Sequence, residues 1–320
     1  MKGLGGILLL LIIGYALPAW AQQLNDPAFK LIPLGVKGGL DEGNLSAYLL
    51  APEGSDEYIC LDAGVIYDGV RRAVEAGTLT GNTGELIRKD IHAYLISHPH
   101  LDHVAGLIIN SPEDTVKKIY GLSFCLDVLR DKYFTWRNWA NFADSGDRPT
   151  LNKYHYAQLS PLTETPIENT RLFVTAFILS HGNPYQSTAF LIRSGAAYFL
   201  YLGDTGADRQ EKSDKLNLLW QYITPLIKEG KLRAIFIEVS FPDEQPPKQL
   251  FGHLSPGLLM EEMKSLAMLT GEEALKKIQI GITHIKPIGN NEALIKKELA
   301  EKNLLNLRLI FPEQARLLHF

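Results

Sequence analysis

Residues 91–103 read IHAYLISHPHLDH and join an apolar run to a dense group of metal-binding side chains. Residues 91–96 have the length and composition of a buried strand. Directly after them, three histidines and an aspartate fall within six residues: His98, His100, Asp102 and His103. Imidazole and carboxylate groups suit zinc, with iron or manganese as alternatives. The spacing predicts a loop at a sheet edge that serves two neighbouring metal ions.

Three further candidate ligands lie far along the chain, each at the end of a predicted strand. His181 follows residues 171–179, Asp204 follows residues 197–202 and His284 follows residues 278–282. Taken singly, each would serve equally well as a capping or core residue. Their shared position at strand ends, beside turn residues, favours metal ligation.

Together these residues resemble the metal-binding pattern of the metallo-β-lactamase superfamily. The resemblance implies an α/β fold of the α+β kind, an αββα sandwich with the metal site at one edge. It also implies two divalent ions, with zinc favoured. The first ion would be held by His98, His100 and His181, the second by Asp102, His103 and His284, and Asp204 would bridge both. Asp62 resembles the superfamily's early strand-end aspartate, a supporting residue rather than a ligand.

A longer segment gives a narrower resemblance. Residues 98–112 read HPHLDHVAGLIINSP and resemble the signature of class II 3′,5′-cyclic-nucleotide phosphodiesterases, in which the metal loop runs into a small-residue helix and ends at Ser-Pro. The segments around His181, His253 and His284 resemble that family too. The resemblance implies that a hydroxide activated by two metals converts a small cyclic nucleotide, cAMP before cGMP, to a nucleoside 5′-monophosphate.

The expected catalytic set is Asp102, which is also a ligand, with His253 and Glu238. His253 is the spare histidine that can protonate the leaving ribose oxygen. Glu238 resembles the glutamate of a supporting Glu–His dyad in phosphodiester-cleaving relatives, and the resemblance implies that it holds the imidazole in the useful tautomer. The alternatives are a helix-capping role for His253, beside Ser255-Pro256, and a solvated strand end for Glu238.

Two more residues are predicted to contact the substrate, besides His253. Lys286 follows His284 closely and can touch the phosphate, although an exposed lysine is the ordinary alternative. Trp136 lies in the aromatic stretch YFTWRNW, residues 133–139, where a base can stack. The helical spacing of Trp136 and Trp139 would instead mark a packed helix face.

The N-terminus has the layout of a cleaved secretory signal. Lys2 precedes an apolar stretch over residues 4–17, and Ala19-Trp20-Ala21 supplies small residues two apart. We expect cleavage after Ala21, one domain over residues 22–320, no stable membrane insertion of the mature chain, and a periplasmic or secreted location. The alternative is an uncleaved membrane anchor.

Charge and cysteine content exclude other classes of function. The 320 residues carry a formal net charge of −4 without a basic stripe, which argues against a polymeric nucleic acid as partner. Cys60 and Cys125 lack the context of a nucleophile. The alternatives that remain are another binuclear hydrolase of this fold, such as an RNA-type phosphodiesterase or a lactonase, and a non-catalytic metal- or nucleotide-binding protein.

Hydrophobic patterning predicts two strand-rich halves, each followed by helices, and hence two packed sheets with helices outside. Predicted strands cover residues 29–34, 46–51, 58–62, 93–97, 171–179, 188–193, 197–202, 234–239, 278–282 and 307–311. Predicted helices cover residues 124–141, 215–227, 256–270 and 291–302.

Overall fold

The computed structural model describes residues 26–320. The predicted signal peptide, residues 1–21, lies outside them, and the single domain over residues 22–320 stays a prediction. Between residues 26 and 320, no helix has both the length and the apolar character that a membrane crossing needs.

The first sheet is built mainly from the N-terminal half. It contains β1 (Phe29–Gly35), β2 (Ala47–Pro52), β3 (Tyr58–Leu61), β4 (Ile91–Leu95), β5 (Lys117–Gly121), β6 (Tyr154–Gln158) and β14 (Leu318–His319). Its order is β14-β1-β2-β3-β4-β5-β6, antiparallel from β14 to β3 and parallel from β3 to β6. Its helices are α1 (Tyr67–Glu75), α2 (Thr83–Asp90), α3 (Leu101–Asn110) and α4 (Ser123–Val128), and a π-helical turn (Leu129–Tyr133) extends α4.

The second sheet follows in the C-terminal half. It contains β7 (Thr165–Pro166), β8 (Leu172–Ser180), β9 (Gln186–Ser194), β10 (Ala197–Leu202), β11 (Leu232–Glu238), β12 (Gln279–Thr283) and β13 (Arg308–Ile310), in the order β13-β12-β11-β10-β9-β8-β7. Strands β10 to β13 are parallel, and β7 to β10 are antiparallel. Its helices are α5 (Asp208–Glu211), α6 (Lys215–Lys228), a 3₁₀ turn (Pro247–Gln249), α7 (Pro256–Thr270), α8 (Glu272–Leu275) and α9 (Asn291–Lys302).

Three hydrophobic clusters define four layers. One cluster joins the inner faces of the sheets, for example Leu31 of β1 with Phe199 of β10. Alternate side chains such as Ile32 point to the other face of the first sheet, where Leu107 of α3 packs. On the outside of the second sheet, Trp220 of α6 joins a third cluster with residues of α7 and α9. The predicted αββα sandwich is therefore confirmed.

The predicted helix over residues 124–141 is wrong beyond Tyr133. The chain from residue 134 to 153 is irregular, and Trp136 has a positive φ of 57°. Tertiary bonds replace helical ones here: Trp139 Nε1 donates to Ser111 Oγ (3.0 Å), and Lys153 Nζ donates to the Ser111 carbonyl (2.9 Å). Ser111 and Pro112 follow α3 and are the last two residues of the family signature. Ser111 therefore anchors the irregular segment through these hydrogen bonds.

Strands β5 and β6 were not predicted, because charged and aromatic side chains mask their apolar character. Lys117 of β5 is only 4% exposed, and it forms a buried ion pair with Asp114. The hydroxyls of Tyr94 and Tyr154 donate to the other oxygen of that carboxylate, at 2.6 and 2.8 Å. The strand is thus buried despite its lysines.

Candidate metal centre

The predicted ligands lie at one edge of the sandwich, because both sheets turn the carboxyl ends of their parallel strands toward it. His98 follows β4 in the first sheet. Asp204 and His284 follow β10 and β12, and His181 follows antiparallel β8. His100 is the N-cap of α3, so Asp102 and His103 occupy the first helical turn rather than a loop. The sequence predicted that all four residues lie in a loop; only His98 and His100 precede the helix, and Asp102 and His103 lie within it.

The first group of candidate ligands is His98, His100 and His181. His98 Nε2 lies 3.1 Å from His100 Nδ1, and His181 Nε2 lies 3.4 Å from the same atom. Together with an Asp204 oxygen, the ligand atoms all lie within 4.8 Å of one another. His100 is the exposed member of this group, so the group opens to solvent at that residue.

The second group is Asp102, His103 and His284. His284 Nε2 lies 3.1 Å from both His103 Nε2 and Asp102 Oδ2. His284 has a positive φ of 58°, an uncommon conformation for this residue type that clusters at functional sites. Both groups match the predicted division into two sets of three.

Asp204 joins the two groups. Its buried carboxylate oxygen Oδ2 lies within 4 Å of ring nitrogens of five histidines: His284 (3.2 Å), His103 (3.3 Å), His98 (3.7 Å), His253 (3.8 Å) and His181 (3.9 Å). A carboxylate at this position can bridge two cations.

The protonation states of these residues fit a divalent metal. Burial, with the neighbouring histidines, lowers the pKa of His98 well below its ordinary value and that of His100 to about 4. Burial opposes ionisation of Asp102, but His103 and His284 outweigh it and lower its pKa. Metal binding requires neutral imidazole and ionised carboxylate. The donor set therefore fits a divalent-metal centre.

His103 shows the excess negative charge that a cation would balance. Burial acts to lower its pKa, but the carboxylates of Asp204, Asp62 and Asp102 outweigh burial and raise the pKa well above its ordinary value. Three carboxylates around one buried imidazole form a strongly negative pocket. A bound cation can take the place of the proton that the pocket otherwise draws to His103.

Asp62 fixes the orientation of His103. Its Oδ2 lies 2.8 Å from His103 Nδ1 and accepts from Tyr201 Oη (2.7 Å) and Ser97 Oγ (2.8 Å), while Oδ1 accepts from Ser97 N (2.7 Å). A carboxylate on Nδ1 directs Nε2 toward the metal position. The supporting role expected of Asp62 agrees with this geometry. Tyr201 also ties the first sheet to β10 beneath the centre.

The other histidines are oriented by partners that sequence reasoning missed. Ser97 Oγ lies 3.0 Å from His98 Nδ1, Ser240 Oγ lies 2.9 Å from His284 Nδ1, and the Gly252 carbonyl lies 2.9 Å from His181 Nδ1. Ser97 could have been suspected from the sequence, because it directly precedes the candidate ligand His98. A backbone carbonyl carries none.

We expect Asp62→Asn to weaken metal binding by roughly 10- to 100-fold, the usual effect of removing such a partner. In one orientation the NH₂ group of the amide faces His103 Nδ1, and in the other it faces Ser97 N–H. Either the partner of His103 is lost or the loop beside His98 is displaced. Competition against a chromophoric chelator measures the affinity. Tyr201→Phe, which removes one of the four hydrogen bonds, is the control and should have the smaller effect. Unchanged affinity in Asp62→Asn would show that His103 needs no such partner.

Two glycines allow the backbone to approach the centre. A Cβ on Gly64 would lie 2.0 Å from the Asp102 carbonyl, where α3 packs on the strand end that carries Asp62. A Cβ on Gly38 would lie 2.4 Å from the His284 ring. Only glycine fits at these two positions without moving a candidate ligand.

His253 and Glu238 form a buried pair beside Asp204. His253 Nδ1 lies 2.7 Å from Glu238 Oε1, and Glu238 is only 1% exposed. Burial lowers the pKa of His253, but Glu238 and Asp204 outweigh it and raise the pKa. Glu238 also accepts from Thr205 N (3.0 Å) and Ser240 Oγ (2.6 Å), so it connects the Asp204 loop to the dyad.

The alternatives for this pair are wrong. Glu238 is not a solvated strand end. His253 does not cap α7; Asp243 does, because its Oδ1 accepts from Ser255 Oγ (2.6 Å) and Gly257 N (2.8 Å).

The two remaining predicted residues lie in different surroundings. Lys286 is half-buried, and a Cβ on Gly39 would lie 3.8 Å from its Nζ and 4.0 Å from Asp102 Oδ2. The ordinary exposed lysine is therefore a poor description. Trp136 is exposed, and its indole N–H donates to the Pro149 carbonyl (2.8 Å). The packed helix face proposed as its alternative does not exist, and base stacking at Trp136 stays a prediction.

Comparisons with known proteins agree with this geometry. A family model described as class-II cAMP phosphodiesterases matches residues 28–314. A 3′,5′-cyclic-nucleotide phosphodiesterase from Aliivibrio fischeri is 40% identical over 97% of this chain and 98% of its own length. A probable 3′,5′-cyclic-nucleotide phosphodiesterase from Yersinia pestis is 38% identical over 92% of this chain and 90% of its own.

Solved structures show the same fold. Unliganded yeast PDE1 superimposes with a TM-score of 0.80 at 25% identity, over 92% of this chain and 100% of that one. The metallo-β-lactamase fold protein YhfI from Bacillus subtilis superimposes with a TM-score of 0.62 at 17% identity, over 92% and 100% of the two chains, and shows the shared fold. The resemblance found in the sequence is confirmed: the chain belongs to the class-II cAMP phosphodiesterase family.

Proposed function

We propose that this chain hydrolyses 3′,5′-cyclic nucleotides, with cAMP as the main substrate, to nucleoside 5′-monophosphates at a centre of two zinc ions. The observation that carries the proposal is the pair of three-residue groups joined by Asp204. Family membership supports the reaction, and the relatives from Aliivibrio fischeri and Yersinia pestis are named for cyclic-nucleotide hydrolysis.

Two ions, and zinc in particular, are supported by the donor chemistry. Each group offers three side-chain ligands, and Asp204 offers a fourth to both. Histidine-rich sets with carboxylate are typical of zinc. When bound, a pair of such ions lowers the pKa of water and neutralises charge on phosphoryl oxygens.

The chain's own residues complete the reaction. Lys286, whose Nζ lies near Gly39 as Asp102 Oδ2 does, supplies positive charge for the anionic phosphodiester. The oxygen of a water molecule, which gives up one proton to solvent, bonds to phosphorus as the bond from phosphorus to the ribose 3′ oxygen breaks. The 3′ oxygen takes a proton from His253 Nε2, which solvent then restores. Glu238 binds Nδ1 and so leaves Nε2 as the donor. The product keeps its phosphate on the 5′ oxygen.

The alternative is another binuclear hydrolase of this fold, an RNA-type phosphodiesterase or a lactonase. The net charge of −4 gives no support to a polyanionic substrate. A lactone also makes less use of the buried His253–Glu238 pair. Family membership and this pair together favour the cyclic phosphodiester.

We also propose that the mature enzyme works in the periplasm or outside the cell. Lys2, the apolar stretch and Ala19-Trp20-Ala21 support cleavage after Ala21. N-terminal sequencing of the exported protein should start at Gln22. An N-terminus at Met1 in the cytoplasmic fraction would overturn this part of the proposal.

The substrate assignment is tested by ³¹P NMR of zinc-loaded protein with cAMP, cGMP, a short RNA and a homoserine lactone. We expect 5′-AMP, and no 3′-AMP, as the product from cAMP, with slower or no turnover of RNA and lactone. Lactone or RNA hydrolysis without turnover of any cyclic nucleotide would overturn the proposal.

A further inference from the structure

Phe251 is an exposed aromatic residue in an unfavourable backbone conformation. Its side chain is 67% exposed, and its φ is 52°. A bulky side chain rarely adopts positive φ, and such conformations persist chiefly where function requires them. Neither core packing nor turn chemistry explains a phenylalanine here, since glycine or asparagine would suit this conformation better.

The loop that carries Phe251 is part of the metal centre. The next residue, Gly252, accepts a hydrogen bond from His181 Nδ1 through its carbonyl (2.9 Å). The residue after that is His253, whose ring lies 4.8 Å from the His181 ring, centroid to centroid. Phe251 is therefore held two residues from the proton donor and beside a candidate ligand.

A second exposed aromatic residue lies on the adjacent loop. Tyr185 is 68% exposed, and its carbonyl accepts from His181 N (3.2 Å) while its own N–H donates to the Gly182 carbonyl (3.1 Å). The two loops pack so closely that a Cβ on Gly252 would lie 2.0 Å from Gly182 N. Phe251 and Tyr185 thus lie on two packed loops beside His181 and His253.

The proposed reaction places the nucleoside on the side of these two loops. The oxygen that leaves phosphorus belongs to the ribose, and His253 donates the proton to it, so the sugar and its base lie on the His253 side of the phosphate. We propose that Phe251 and Tyr185 form an aromatic clamp that stacks on the nucleobase. This inference rests on the proposed function and extends it to substrate recognition.

Stacking on an aromatic ring accepts any base, because every base has a π-face. We therefore expect the clamp to favour purines through their larger stacking area, while the preference for cAMP over cGMP rests on contacts other than stacking. Trp136 is less suited, because its segment meets the centre on the side of the first sheet, where Tyr133 Oη donates to the Pro99 carbonyl (3.0 Å), and also contacts Ser111 at the far end of α3. The proposed leaving oxygen lies on the His253 side.

The experiment compares cAMP with a substrate that lacks the base, the 3′,5′-cyclic phosphate of 1-deoxyribose. We expect Phe251→Ala and Tyr185→Ala each to raise KM for cAMP roughly 5- to 100-fold, the range for the loss of one stacked aromatic. Zinc content and kcat/KM for the base-free substrate should stay unchanged. Phe251→Tyr should restore the KM for cAMP.

Leu162→Ala is the matched control, because Leu162 is also exposed (61%) with a positive φ of 62°. The N–H of Leu162 donates to the Ala176 carbonyl, four residues before the end of β8. Truncation of the Leu162 side chain should therefore leave the KM for cAMP and kcat/KM for the base-free substrate unchanged. An equal loss of kcat/KM on both substrates in the Phe251 and Tyr185 variants, or an unchanged KM for cAMP, would overturn the clamp. A rise in the KM for cAMP in Trp136→Ala instead would place the base against the Trp136 loop. A wild-type enzyme that fails on cAMP would overturn the proposed function itself.

Discussion

Asp204→Asn is expected to lose metal and activity together, by more than the roughly 10- to 100-fold that loss of a supporting partner costs. The Asp204 carboxylate lies within 4 Å of members of both three-residue groups, at 3.3 Å from His103 and 3.7 Å from His98. Asparagine removes the charge and one of the two oxygens available for bridging. Elemental analysis of the purified variant and its rate with cAMP measure the two losses.

A matched control separates this effect from a general loss of folding. Asp114 is also a buried aspartate, and it binds Tyr94, Tyr154 and Lys117 away from the candidate ligands. Asp114→Asn should lower the thermal unfolding midpoint while keeping both ions. An Asp204→Asn protein that keeps two ions and normal turnover would refute the bridging role.

His253→Ala is expected to lower kcat by about 10²- to 10⁴-fold, the usual contribution of a positioned general acid. Metal content should stay at the wild-type value, because His253 Nδ1 is committed to Glu238 at 2.7 Å. Glu238→Gln should lower kcat less than His253→Ala does. The amide oxygen can still accept a hydrogen bond from His253 Nδ1, but the amide carries no negative charge to stabilise the protonated imidazole.

A substrate with sulfur in place of the 3′ bridging oxygen tests the role of the proton directly. A thiolate leaves without protonation, so the defect of His253→Ala should shrink several-fold or more with this substrate. His253 can also be grouped with Asp204 and His284 as a ligand set. Loss of an ion in His253→Ala, with the same defect on both substrates, would make it a ligand instead of an acid.

The sequence predicted the elements whose apolar pattern is set by the core. Strands such as β8 and β12 are apolar along their length because both faces are buried, and their predicted bounds lie within one or two residues of the observed ones. Helices α1 and α2 were missed because they are short and polar. The false helix after Tyr133 had helical spacing, but its tertiary bonds to Ser111 decide its path.

The site was predicted as a set of residues rather than as a geometry. Histidine and aspartate after an apolar run can be recognised in a sequence. The six residues of the two groups and Asp204 could therefore be named as candidate ligands. The partners that orient them were mostly not visible: Tyr201 reads as a core residue, and the Gly252 carbonyl has no side chain. The position of Phe251 depends on how its loop packs against the loop of Gly182, and a contact between segments so far apart in the chain cannot be recognised in the sequence.

Metal removal and return tests the two-ion phosphodiesterase most directly. Wild-type protein is stripped with a chelator, titrated with Zn²⁺, and assayed for conversion of cAMP to 5′-AMP at each step. The proposed centre predicts no turnover in the stripped protein and activity that reaches its maximum when two ions are bound per chain. Full turnover in the stripped protein, or a maximum at one ion per chain with no further binding, would contradict it.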